Sequence, residues 1–495
     1  MRNGEAAEAV NLGDVPRKLF VAGDWVSGRG VFEVQDPATG ETFASVADAG
    51  EDEAMRALDA AVAAQDGWRG TTPRARAELL HGAHALMLER RELIARTMTL
   101  ESGKPLAESR AEFGLSAEFF RWFAEQAAHL HGTYARGSNG NYRIITTHEP
   151  IGPCLLITPW NFPLLMIVRK AGAALAAGCT TVVKSAQETP LTAGLFVKLL
   201  QDAGFPPGTV NLIHSSSASP ISKLLMADQR LRKVSFTGST RVGSTLLEQS
   251  AQNILNCSLE LGGDGPFIVL DDADVAHAVD QAVICKFRNA GQACVAANRI
   301  IVDRRIEPEF TRRFVEKTKA LRVGGGLDAE TEVGPMISQR QRDHVPEALN
   351  QLVEAGGRVL AGGHSLNRPG HFFEPTVVRF DAPNDVMCSN ELFAPVATIF
   401  AADGAEEAIS YANNTRYGLA SYLFTRDLSR AMALGERLEF GMVGINRGIM
   451  ADPAAPFGGT KVSGLGREAG HGGIYEFMEE KYMAVTVDDL REVAV

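Results

Sequence analysis

The chain has 495 residues, 45% of them apolar and 22% charged, with a formal net charge of −11. That length exceeds one ordinary hydrophobic core, so two or three domains are expected, with the composition of a soluble globular protein. The acidic balance argues against nucleic acid as the main ligand, because phosphate binding needs a basic footprint.

The N-terminus, Met1-Arg-Asn-Gly-Glu, lacks the apolar run of a secretory signal. Residues 50–130 are dominated by Ala, Glu, Arg and Leu and read as helical. Residues 141–148 read as extended. From residue 154 short β-branched runs alternate with helical ones. Strands are expected at 154–158, 180–184, 209–213 and 233–236. Helices are expected through 169–177, from about 190, before 233 and from 241. This βαβ alternation predicts a parallel sheet covered by helices on both faces.

A further apolar strand at 255–259 leads into 259–265, whose glycines suit a hinge. A second block of the same kind follows, with a strand at 266–270, a helix at 275–287, a strand at 299–302 and then Gly324-Gly-Gly326. Residues 482–487 again read as extended. Both extended outliers lack neighbours in the alternating pattern and read as edge strands for pairing with another subunit.

The most apolar stretch, 163–178, is broken by Arg169 and Lys170 and is too short to span a bilayer. The cysteines at 154, 179, 257, 285, 294 and 388 form no C-x-x-C pair and no zinc-type cluster. Free thiols in a reducing cytoplasm are therefore expected, and no metal site.

Two segments carry the chemistry. Gly291-Gln-Ala-Cys294 offers a thiol among small residues, and Leu259-Glu-Leu-Gly-Gly263 offers a carboxylate beside glycines. A soft nucleophile and a general base are what covalent acyl chemistry needs. Taken alone, each has a plainer reading: Cys294 as a buried core thiol and Glu260 as a solvated strand end. Pro159-Trp-Asn-Phe-Pro163 follows a predicted strand, and Asn161 suits either an oxyanion donor or a helix cap. Phe236-Thr-Gly-Ser239 is a glycine turn opening a helix, a place that binds phosphate, although it matches neither G-x-G-x-x-G nor the Walker pattern.

In this order, these motifs together with Pro456-Phe-Gly-Gly459 resemble the aldehyde dehydrogenase superfamily, over almost the whole chain. Lys286-Phe-Arg-Asn-Ala-Gly-Gln and Gly464-Leu-Gly-Arg-Glu468 resemble its succinate-semialdehyde dehydrogenase branch. The resemblance implies an α/β fold with two Rossmann-like parallel-sheet domains and a β-arm for oligomerisation. Residues 1–135 and 152–260 would form the dinucleotide-binding domain, 261–470 the catalytic domain, and 136–151 and 475–495 the arms of a homodimer or homotetramer.

By the same likeness Cys294 attacks the aldehyde, and Asn161 with the Cys294 backbone N–H stabilises the oxyanion. Glu260 activates the water that hydrolyses the thioester. NAD or NADP would be held by Trp160, Lys184, Gln187, Gly238, Ser239, Leu261 and Glu391. Arg169 and Arg288 would clamp a substrate carboxylate, for which a guanidinium fork is suited.

Some residues depart from the branch pattern. Gly470 stands where a serine usually helps grip the carboxylate, which suggests room for a bulkier substrate. Ala296 replaces a second cysteine found in some members. Gln187 replaces a glutamate that would repel a 2′-phosphate, so NADP is permitted, although the neighbouring Glu188 can restore that repulsion. Asp264-Gly265 and Ala394 replace Asn-Ala and Gly, with Asp264 near the base. The rival expectations are a dehydrogenase for a bulkier or aromatic aldehyde, a CoA-acylating enzyme, and a catalytically silent member.

Overall fold

The computed structural model describes residues 12–386 and 391–486. Cys388, the extreme N-terminus and residues 487–495 of the expected arm lie outside them. The alternation from residue 154 onward builds two large sheets. In the first, five parallel strands run in the order Asn256–Glu260, Lys233–Thr237, Cys154–Ile157, Thr181–Lys184, Val210–Ile213. Antiparallel additions close both sides: Leu19–Val21 and Asp24–Val26 on one edge, Gly464–Leu465 on the other.

The second sheet places Thr376–Arg379, Val396–Ala402, Ala297–Asp303, Gly265–Val269, Ala420–Phe424 and Met442–Ile445 in parallel, with Arg358–Ala361 antiparallel at its edge. The hinge expected at 259–265 is therefore the passage from one sheet to the other. The chain later returns to the first sheet, because Gly464–Leu465 pairs beside Glu260.

Four helices fill the N-terminal region: Glu51–Arg69, Pro73–Glu89, Arg91–Ser102 and Leu106–Gln126. The helix Pro163–Ala177 is buried on every side, as its apolar residues favour, and its two charged residues, Arg169 and Lys170, are buried with it. Pro163 opens it with a preset φ, and Gly178 ends it at φ +96°. Its free N-terminal amides are met from outside the helix. Glu112 accepts from the N–H groups of Leu164 (3.0 Å) and Leu165 (3.1 Å). Glu101 does the same for Leu191 and Thr192 at the start of Pro190–Asp202, at 2.8 and 2.9 Å. A carboxylate at a helix N-terminus satisfies orphan donors and opposes the helix dipole.

The two extended outliers find each other. Tyr142–Pro150 pairs antiparallel with Met478–Thr486 along its whole length, and Thr133–Arg136 adds a third strand. Both lie outside the two large sheets, as their lack of neighbours in the alternating pattern suggests, and they pair with each other within the chain. Among the described residues both outer edges of this sheet stay open, on Thr133–Arg136 and on Met478–Thr486, the latter exposing Tyr482, Met483 and Val485.

Candidate active site

The helix Val275–Phe287 ends where Asn289, Ala290 and Gly291 take φ of 50°, 54° and 72°. Left-handed backbone costs a non-glycine residue roughly 1 kcal/mol or more, so the turn needs support. It has several supports. The Asn289 N–H donates to Glu108 (2.8 Å), and its amide Nδ2 donates to the carbonyls of Asn161 (3.0 Å) and Gln292 (3.2 Å). Gln292 is fully buried, donating to the Asn289 carbonyl and accepting from the Ile337 N–H. A Cβ on Gly291 would stand 2.2 Å from the Ala394 carbonyl oxygen, so only glycine fits. Beyond the turn Cys294 remains part-exposed, while Ala293 and Ala296 are buried. Tyr422 fixes the far side by donating to the Val295 carbonyl at 2.6 Å.

Asn161 lies against this loop. Its Nδ2 donates to the Gln292 carbonyl at 3.1 Å, and an amide nitrogen carries two hydrogens, so one remains. The helix-cap reading of Asn161 does not hold: Phe162 is the N-cap, and Glu112 meets the orphan amides. Lys104 anchors the Asn161 backbone, reaching its carbonyl at 2.6 Å and Glu112 at 2.5 Å.

Glu260 ends its strand fully inside the protein, with Oε2 lacking a partner among the described residues. A Cβ on Gly458 would sit 2.8 Å from its Oε1, and one on Gly263 would sit 2.3 Å from the Cys294 carbonyl oxygen. The glycines of three motifs therefore mark close approach of backbone to the same centre. Burial, and then the charge of Glu468, push the Glu260 carboxyl well above the usual range, against Arg169, Lys170 and Arg467. Burial also pushes the Cys294 thiol up, to about 12, with Glu391 and Glu260 adding to the rise and Arg169 and Arg288 opposing it. Thiol, base and both arginines thus share one electrostatic neighbourhood.

A cleft of about 540 Å³ opens at the C-terminal ends of the first sheet's strands, lined among others by Trp160, Lys184, Gln187, Glu188, Gly238 and Arg241. Open α/β sheets bind ligands at such ends. The helix Thr240–Ser250 points its N-terminus there, with Ser239 as its cap. Burial draws the Lys184 ammonium down from its ordinary value, and Glu188 partly restores it. Leu261 packs at the start of that helix, where a Cβ on Gly243 would lie 2.4 Å from it. Glu391 stands apart, on the cysteine side. It accepts from the Gly263 N–H at 3.2 Å, and burial pushes its carboxyl up to about 8. Trp160 bridges the two places by packing edge-on against Phe393.

Residues 25–483 match the aldehyde dehydrogenase family. The chain belongs to the aldehyde dehydrogenase family. It is 47% identical to a succinate-semialdehyde dehydrogenase of Paenarthrobacter nicotinovorans, over 90% of this chain and 98% of that one. It is 43% identical to the NADP(+) succinate-semialdehyde dehydrogenase of Escherichia coli K12, over 95% and 98%. A crystal structure of succinate-semialdehyde dehydrogenase from Burkholderia pseudomallei superposes with a TM-score of 0.93 at 40% identity, covering 96% of this chain and 98% of that one. The α/β architecture with parallel sheets is the family's.

In this aldehyde dehydrogenase the two candidate carboxylate-binding arginines differ. Arg169 is buried and bound to Glu468 through Nε (2.7 Å) and Nη2, while Lys170 holds the other Glu468 oxygen. Only Nη1 of Arg169 lacks a partner among the described residues. Phe457 covers the guanidinium at 4.0 Å. Arg288 is half-buried, lies 5.3 Å from the Phe162 ring, and has no hydrogen-bond acceptor among the described residues.

Gly470 corrects an expectation. It sits at φ +60°, and its Cβ position meets Pro456 N at 3.0 Å and Ala455 C at 3.3 Å, so the missing side chain leaves no added room. Asp264 forms a buried pair with Arg299 at 2.7 Å, and its charge bears on Glu391. Lys104, Glu108, Glu112 and the pairing role of Glu468 have no local signal in the sequence. Lys104 and Glu112 pair with each other eight residues apart, but the site groups these four hold lie 52 to 299 residues away. Among the described residues no helix is long and apolar enough to cross a membrane.

Proposed function

We propose that this enzyme oxidises an aldehyde bearing a remote carboxylate to the acid, with succinate semialdehyde first and glutarate semialdehyde next, using NAD or NADP. The observation carrying this reading is that Arg288, with no hydrogen-bond acceptor among the described residues, acts on the Cys294 thiol alongside Glu260. The Cys294 thiol gives up its proton to solvent and the sulfur bonds to the aldehyde carbon, the carbonyl electron pair moving onto oxygen. The spare N–H of Asn161 and the Cys294 backbone N–H receive the oxyanion. A bound nicotinamide would supply the hydride acceptor that turns this adduct into a thioester on Cys294. Glu260, once ionised, removes a proton from the water that hydrolyses it.

The cofactor fits the cleft at the strand ends: Gly238 and Ser239 lie at a helix start suited to pyrophosphate, and Lys184 and Glu391 suit the two riboses. Gln187, Trp160 and Leu261 complete its surroundings. Residues 1–135 and 152–260 would serve the dinucleotide, and 261–470 the nucleophile. Arg288 would bear most of the substrate carboxylate and Arg169 would add only its Nη1 group, since Glu468 already engages Nε and Nη2. The bulkier-substrate reading loses its support at Gly470. A silent member would not need thiol, base and amide gathered together. The three-stranded sheet with its open edges would serve a homodimer or homotetramer. The five described cysteines are free, which suits the cytoplasm.

A panel of succinate semialdehyde, glutarate semialdehyde and an uncharged aldehyde of similar length, each with NAD and NADP, tests this. Carboxylated aldehydes should lead in kcat/KM by about tenfold or more, as expected for a bidentate charged contact. Equal values would overturn the substrate class.

A further inference from the structure

The helix Leu106–Gln126 sends two acidic side chains, one turn apart, toward the site. Glu112 is taken up by Lys104 and the helix start at Leu164. Glu108 instead reaches the cysteine loop, accepting the Asn289 N–H at 2.8 Å. We propose that Glu108 is a positioning residue that pins the left-handed turn presenting Cys294 and whose charge moderates the pull of Arg288 on the incoming carboxylate. The second half rests on the substrate class proposed above.

The pin follows from connectivity. Asn289 is the node of the turn. Its backbone is held by Glu108, and its side chain joins the Asn161 carbonyl to the Gln292 carbonyl, two residues before the nucleophile. Two successive non-glycine residues in left-handed backbone stay there only when their surroundings over-determine them. Without Glu108 the Asn289 amide loses its acceptor, and the shift passes to both the thiol and the oxyanion donor. The charge effect follows from place: the Glu108 carboxylate holds the N–H of Asn289, the residue directly after Arg288. Burial pushes the Glu108 carboxyl up to about 7, and the Asn289 N–H, Arg288 and Lys104 hold it down. Yet no ion pair joins Glu108 to Arg288 among the described residues. It is a nearby anion that any substrate carboxylate at Arg288 must also meet.

Two variants separate these actions, assayed at pH 8.5 where Glu108 is ionised. Glu108→Gln keeps an oxygen for the Asn289 N–H and loses the charge; Glu108→Ala loses both. With an uncharged aldehyde, the Ala variant should lose on the order of tenfold to a hundredfold in kcat, and the Gln variant should stay within about twofold of the parent. With succinate semialdehyde, the Gln variant should lower KM about threefold, the size of a part-exposed charge contact. That drop should vanish when Arg288→Ala is added. The KM for NAD(P) should not move. If Glu108→Ala does not fold, Glu108→Asp, which withdraws the oxygen by one methylene, should lower kcat in its place.

Parent-like kcat in the Ala or Asp variant, or no rescue by Gln, overturns the pin. A KM drop that survives Arg288→Ala, or never occurs, overturns the charge effect. Arg288→Ala hurting both aldehyde classes equally overturns the carboxylate reading and the charge effect with it, while the kcat comparison still decides the pin.

Discussion

Replacing Glu468 by Gln tests the electrostatics of the site in two readouts. Burial pulls the Glu468 carboxyl upward, but Arg169 and Lys170 overcome it and hold the group at about 2, against an ordinary 4.5. Because the folded value is depressed, the linked stability is fully present above the ordinary value and is lost as pH falls through about 2. A depression of that size corresponds to roughly 3 kcal/mol at neutral pH. Breaking a buried ion cluster from one side costs about 3–5 kcal/mol for the same reason, since Arg169 and Lys170 are left without a counter-charge. Glu468→Gln should therefore lower the thermal unfolding midpoint by several degrees.

The same change acts on Glu260 in a definite direction. Glu468 raises that carboxyl, while Arg169 and Lys170 lower it. Removing the anion and freeing the two cations should bring the base down, since a lost like charge and two unmasked opposite charges both favour its ionised form. An ionised base is what deacylation needs, so the acid limb of kcat should move to lower pH. The assay is kcat against pH from 6 to 10 at saturating aldehyde and cofactor. A limb that stays in place, or moves to higher pH, refutes the coupling.

Two further outcomes follow from the same geometry. In the enzyme without cofactor, Cys294 should alkylate slowly at pH 7.5 and steadily faster up to about pH 11, with Glu391→Gln faster at every pH; a plateau near pH 8 would contradict the thiol's displacement to about 12. Glu188→Gln removes a negative charge from the cofactor cleft, so the ratio of KM for NADP to KM for NAD should fall by about threefold or more; an unchanged ratio would mean that Glu188 does not face the adenosine end.

Much of this centre was legible because glycine records close approach. Gly291, Gly263 and Gly458 sit in motifs visible in the sequence, and each stands where a Cβ would strike a site atom or its support. The strands at 154–158 and 233–236 and the helix at 275–287 were readable from local periodicity, and their observed bounds differ by a residue at most. Residues that act through distant partners were not legible. An arginine suited to a carboxylate does not reveal whose carboxylate it holds, and Arg169 meets Glu468 from 299 positions away. Nor does an exposed extended run name its neighbour: 142–150 and 478–486 pair with each other. Gly470 misled because a missing side chain makes space only if its Cβ direction is open, and here it faces the backbone of Ala455 and Pro456.

The central claim is that the substrate becomes covalently attached to Cys294 and is released by Glu260. Glu260→Gln, quenched during turnover of succinate semialdehyde with cofactor and digested for mass spectrometry, tests it most directly. An acyl group should be found on the peptide bearing Cys294, in amounts well above the parent enzyme. An unmodified Cys294 while product still forms, or an adduct on another residue, would contradict it.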